Sequence, residues 1–141
     1  MDRAQHYLAL GRKAGLLITG EDLCRDAAHS GKARLLLLAS DASPNAQKRA
    51  SDALMGHRAP LRTLPWQKAE LSALLGRRGC SMVCFTDLGL AATFAAAMAE
   101  TDPGWRETAD ALSSHQEKIK RRKAEKRKEH PTDIGGRNDG T

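Results

Sequence analysis

Apolar positions along this chain alternate between two rhythms. "LLIT" (Leu16 to Thr19), "ARLLLLAS" (Ala33 to Ser40) and "CSMVCFTD" (Cys80 to Asp87) are apolar runs of strand length. The unbroken middle run reads as a strand covered on both faces. "PLRTLP" is a fourth strand, and its bounding prolines place it at or near a sheet edge. Helical spacing fills the intervals. Residues 2–14 form a helix with Tyr7, Leu8, Ala9 and Leu10 crowded on one side and Gly15 as its stop. A second runs from Gly20 to Ser30 with Leu23, Cys24, Ala27 and Ala28 inward, and Gly31 ends it. Ser43 as N-cap and Pro44 at the first helical position open a third, with Ala46, Ala50, Ala53 and Leu54 on one face. Gln67 to Leu75 turns Leu71, Leu74 and Leu75 inward, and "LGLAATFAAAMAE" closes the series with small side chains suited to close packing. This alternation predicts an α/β domain with helices on both faces of its sheet.

The rhythm stops at Glu100. "TDPGW" breaks the last helix, "KIKRRKAEKRK" (Lys118 to Lys128) holds eight basic residues against one acid, and "HPTDIGGRNDGT" has almost nothing to bury. The reading is one domain over 1–100 and a basic, disordered tail over 101–141, with transient helix from Trp105 to Lys128. A length of 141 residues suits one domain plus an appendage.

Charge sharpens this picture. The formal net charge is +6, and a basic balance favours a polyanionic partner. Aromatic residues make up only 4%, so stacking of many bases on rings is disfavoured. Cys24, Cys80 and Cys84 form no CxxC pair and lie far from any His-x-x-His pattern, which points away from a zinc site or a disulfide framework. Cys80, Met82 and Cys84 read as core positions of the last strand. No apolar run reaches membrane-spanning length and the N-terminus carries no secretory pattern, so the expectation is a soluble, cytoplasmic protein. The five histidines, at 6, 29, 57, 115 and 130, share no spacing with a nucleophile or carboxylate. The chain is read as a non-enzymatic monomer without cofactor, metal or small-molecule substrate.

The order helix, "LLITGED", helix, "GKARLLLLASDASPNAQKR" and finally "VCFTDLGLA" resembles the bacterial YlxQ-type proteins. These are RNA-binding members of the ribosomal protein superfamily typified by archaeal L-seven-Ae and eukaryotic L-thirty-e. The likeness covers roughly residues 3–99. It implies a three-layer α/β/α sandwich with a short mixed sheet that binds structured RNA, kink-turn-like or ribosomal, without catalysis. It also implies that the helix beginning at Gly20 enters the RNA bend, while the loop before the last strand, Arg77, Arg78, Gly79, Cys80 and Ser81, clasps an extruded nucleotide.

The residues themselves agree in part. A helix start offers free N–H groups to an anion, and Gly20 lets the backbone approach closely. Arg12, Lys13, Lys32, Arg34, Arg77 and Arg78 lie at or near element ends where they can flank such a site, and Arg25 joins Lys32 as a candidate phosphate contact. Glu21 and Asp22 suit a helix N-terminus on dipole grounds alone. The basic run Lys118, Lys120, Arg121, Arg122, Lys123, Lys126, Arg127 and Lys128 reads either as a solubilising tail or as an arm gaining affinity by counterion release. Asp22, Leu23 and Asp26 stand where kink-turn readers carry Asn, Glu and Lys. That departure keeps a second reading open: a protein-interaction module of the transcription or translation machinery with a degenerate RNA site.

Overall fold

The computed structural model describes residues 1–129. In chain order the elements are α1 (Arg3–Lys13), β1 (Leu17–Thr19), α2 (Glu21–His29), β2 (Leu35–Leu38), α3 (Pro44–Ala53), β3 (Leu61–Thr63), α4 (Lys68–Leu75), β4 (Met82–Phe85), α5 (Leu88–Thr101) and α6 (Arg106–Glu129), with a 3-10 turn over Pro103–Trp105. The sheet order is β1-β4-β2-β3. β4 is antiparallel to both neighbours, and β2 pairs β3 in parallel, so the sheet is mixed and β3 is an edge, as its prolines require.

β2 and β4 occupy the centre, and every one of their eight residues is buried. Because successive side chains point to opposite faces, each strand feeds two cores. Leu36, Leu38, Met82 and Cys84 meet Cys24, Ala27 and Ala28 of α2 and Ala50 and Ala53 of α3. Leu35, Leu37, Val83 and Phe85 meet Leu8 of α1, Leu71 of α4, the alanines and Phe94 of α5, and Ala109 and Leu112 of α6. The result is the three-layer α/β/α sandwich. Close layering depends on Gly11 of α1: a Cβ there would lie 3.1 Å from both Leu90 Cδ2 and Phe85 Cε1 and 3.2 Å from Leu17 Cβ.

Three expectations are corrected. Leu23 and Leu10 are 56% and 47% exposed, because the inward stripes are Cys24–Ala27–Ala28 and Ala4–Leu8–Gly11, and each leucine sits one residue, about 100° of helix, off its stripe. Cys80 precedes β4 and joins the α1/α4/α5 core, whereas Met82 and Cys84 face α2 and α3. The tail expectation fails for residues 101–129. There Trp105 is 1% exposed, Thr108, Ala109 and Leu112 are buried, and α6 lies along α5. Trp105 packs edge-on against Phe94 with centroids 5.8 Å apart. From β3, the Arg62 guanidinium lies 4.3 Å from the Trp105 ring centroid and donates to Thr108 Oγ1 at 2.7 Å. The rest of the expected tail, 130–141, lies outside the described residues.

Gly11→Ala is expected to lower stability by about 1 kcal/mol in a denaturant titration, since contacts on three sides outweigh the helix-propensity gain of alanine. Trp105→Ala is expected to cost about 3–5 kcal/mol in the same assay. Wild-type stability for Trp105→Ala would show that α6 does not belong to the cooperative unit.

Candidate functional site

The strand register sorts the candidate residues to two ends of the sheet. Thr19 opposes Val83 and Leu38 opposes Met82, so the end of β1, the start of α2 and the loop leading into β4 share one end. Leu17 and Leu35 both oppose Phe85, which places the loop before β2, with Lys32 and Arg34, at the other. The Arg34 N–H donates to the Phe85 carbonyl at 2.8 Å. Lys32 and Arg34 therefore do not join Gly20.

At the first end, Gly20 has φ +100° and ψ 144°, a conformation open to glycine alone, and its N–H donates to the Met82 carbonyl at 3.0 Å. A side chain here would also meet Arg77, whose Nη2 lies 3.0 Å from the ideal Cβ position. From α1, Arg12 Nη1 donates to Thr19 Oγ1 at 2.9 Å, bringing a second guanidinium to the same edge. Arg77, Arg78 and Gly79 are exposed, Lys13 is exposed at the end of α1, and Ser81 is half-buried. Cys80 is 1% exposed and its N–H is taken by Ser72 Oγ at 3.0 Å, so within the expected clasp it serves as an anchor.

Local capping sets the character of this end. Asp2, Ser43 and Asp87 cap α1, α3 and α5, and Asp41 accepts the first N–H of α4. Among the described residues no side chain caps α2; its first helical bond is Cys24 N–H to the Gly20 carbonyl, so the N–H groups of Glu21, Asp22 and Leu23 have no acceptor within the helix. Glu21 does not cover them. Arg49 of α3 grips its carboxylate through both Nε and Nη2, the latter at 2.9 Å, and Arg25 Nη1 lies 3.6 Å away. The fork of Arg49 holds the Glu21 carboxyl below the usual range, with Arg25 adding a smaller effect. Arg25, a candidate phosphate contact, is thus partly engaged within the protein. Arg49 escaped the sequence reading because it lies on another helix; its only signal was a cation on the exposed side of "PNAQKR". Asp22, Leu23 and Asp26 are exposed.

Burial pushes all three thiols up, Cys84 to about 12, so they are protonated core groups rather than nucleophiles at neutral pH. Among the described residues no group of three or more His, Cys, Asp or Glu is placed to hold a metal ion, and no helix is long and apolar enough to cross a membrane.

Comparison with known proteins gives this arrangement a family. No family model matches the chain. A solved structure, described as a protein with unknown function from Bacillus halodurans, shares the fold with a TM-score of 0.63 at 24% identity, covering 69% of this chain and 97% of its own. A protein of Enterococcus faecium named RNA-binding protein YlxQ is 32% identical over 75 residues, 53% of this chain and 72% of its own length. The protein of that name from Bacillus subtilis (strain 168) is 31% identical over 84 residues, 60% of this chain and 83% of its own. The chain belongs to the YlxQ family.

Glu21 is expected to titrate below the ordinary glutamate range in an NMR pH titration, and Arg49→Met to raise it toward that range. A depressed folded value means that the pair's contribution is present above the unfolded carboxyl value and is lost as pH falls through the lower folded one. Stability of wild type and Arg49→Met should therefore converge in acid.

Proposed function

We propose that this protein binds structured RNA, kink-turn-like or ribosomal, without catalysis, through the start of α2 and the loop before β4, as a monomer in the cytoplasm. The observation that carries the reading is the uncapped α2 N-terminus, set on a glycine held against Arg77 and flanked by Arg12. Free N–H groups and a positive dipole end receive a phosphate, while the absent Gly20 side chain lets the RNA backbone come close. Arg77 and Arg78, on a loop bounded by left-handed Gly76 and Gly79, supply charge at the bend. Glu21, neutralised by Arg49, presents little repulsion. The YlxQ relatives carry RNA binding in their names, which agrees with this reading.

Leu23, 56% exposed between Asp22 and Asp26, favours a second reading in which the same edge docks a protein of the transcription or translation machinery.

Fluorescence anisotropy against a kink-turn RNA and a straight duplex of equal length separates the two. Arg77→Glu with Arg78→Glu is expected to weaken kinked-RNA binding by about 1–3 kcal/mol, roughly 5- to 150-fold, and to weaken duplex binding less. Equal loss on both RNAs would count against the clasp, and absence of RNA binding at low salt would leave the docking reading in its place.

A further inference from the structure

At the end of the sheet away from Gly20, three segments distant in sequence enclose a pocket of about 210 Å³. The loop before β2 contributes Arg34, the loop between α3 and β3 contributes His57 and Arg58, and α6 contributes Ser114 and His115. The pocket exists because Trp105 and Leu112 fasten α6 to the domain. Its polar side chains are all hydrogen-bond donors or can become so, and among the described residues no acid lines it. Small-molecule sites run to roughly 300–1,000 Å³, so this volume suits a single group rather than a whole metabolite.

Charge converges on the same place. Arg34 and Arg58 face His115 from the body of the domain, and Lys118 and Arg122 face it from the next turns of its own helix. Burial, followed by these four cations, lowers the affinity of His115 for a proton. Gathering like charges around a partly enclosed ring is unfavourable in the free protein, and an anion seated among them attracts each cation and offsets their mutual repulsion. The basic run of α6 continues outward from the pocket, so an extended polyanion seated there meets further cations along the helix.

We propose that this pocket holds a backbone phosphate of the bound RNA, so that α6 and the two loops form a second RNA-contact surface rather than an independent arm. The inference rests on RNA being the partner but not on the Gly20 end reading a bend. The tests use full-length protein and a straight duplex RNA, titrated by anisotropy over a range of salt concentrations. Arg34→Ala with Arg58→Ala is expected to reduce the slope of log affinity against log salt by about 1, the contribution of the one phosphate the pocket holds, and to weaken kinked and straight RNA by the same factor. His57→Ala with Arg58→Ala, both at exposed residues, guards against a folding defect and is expected to reduce the slope by about 1. Saturating RNA is also expected to raise the pKa of His115 in an NMR titration. Unchanged slopes in both variants, or an unmoved His115, would overturn the proposal. Equal wild-type affinity for kinked and straight RNA would overturn the shape reading of the Gly20 end and leave this comparison intact, whereas absence of RNA binding would overturn both.

Discussion

The structure depends on β2 and β4 being buried on both faces at once. Each carries four apolar residues in a row, so neither face can be left to water. Fully burying a leucine contributes about 1.5–3 kcal/mol, and β2 alone holds four. Covering one face takes α2 and α3; covering the other takes α1, α4 and α5 with the first turns of α6. Small residues make the layers fit. Gly11 sits under Leu90 and over Phe85, and the alanines of α2, α3 and α5 bring helix backbones close to a short sheet.

That two-sided burial also confines chemistry to the ends of the sheet, where strands give way to helix starts and loops. Polar groups collect there because the faces have no room for them. At one end the glycine turn from β1 into α2 leaves helix N–H groups free beside Arg12 and Arg77; at the other, loops carrying Arg34 and Arg58 meet α6. The two acids that open α2 in a basic chain find a structural explanation. Glu21 is the partner that joins α2 to α3 through Arg49, while Asp22 stays at the surface near the positive end of the helix dipole. An acid at a proposed anion site is compatible with that role when its charge is already met within the protein.

Helix α6 shows how a weak compositional signal hides a packing signal. Residues beyond 100 are rich in charge and poor in large apolar side chains, and by composition they need not fold. Yet Trp105, Ala109, Leu112 and Ile119 recur at helical spacing, and the first three are buried while Ile119 packs partly against the same core. The stripe is narrow and interrupted by His115 and Gln116, so the charges around it dominate any average. Its partner, the face of α5 with Phe94 and the Arg62 guanidinium, becomes visible only once the strands are assembled.

The order of strands and helices, the edge placement of β3, the caps at Ser43 and the glycine stops were legible in the chain, because each follows from local periodicity, proline chemistry or backbone sterics within a few residues. The Gly20 turn and the Arg77–Ser81 loop were legible as a candidate pair through their likeness to a family, and the strand register places them side by side. Only the tertiary structure decided the rest. It separated Lys32 and Arg34 from Gly20, since strand direction sends those loops to opposite ends; it turned Leu23 outward, since one step along a helix is about 100° of rotation. It also joined Glu21 to Arg49 and carried His115 to Arg34 and Arg58. Such meetings are set by how layers pack across tens of residues of sequence, a relation that no local pattern encodes.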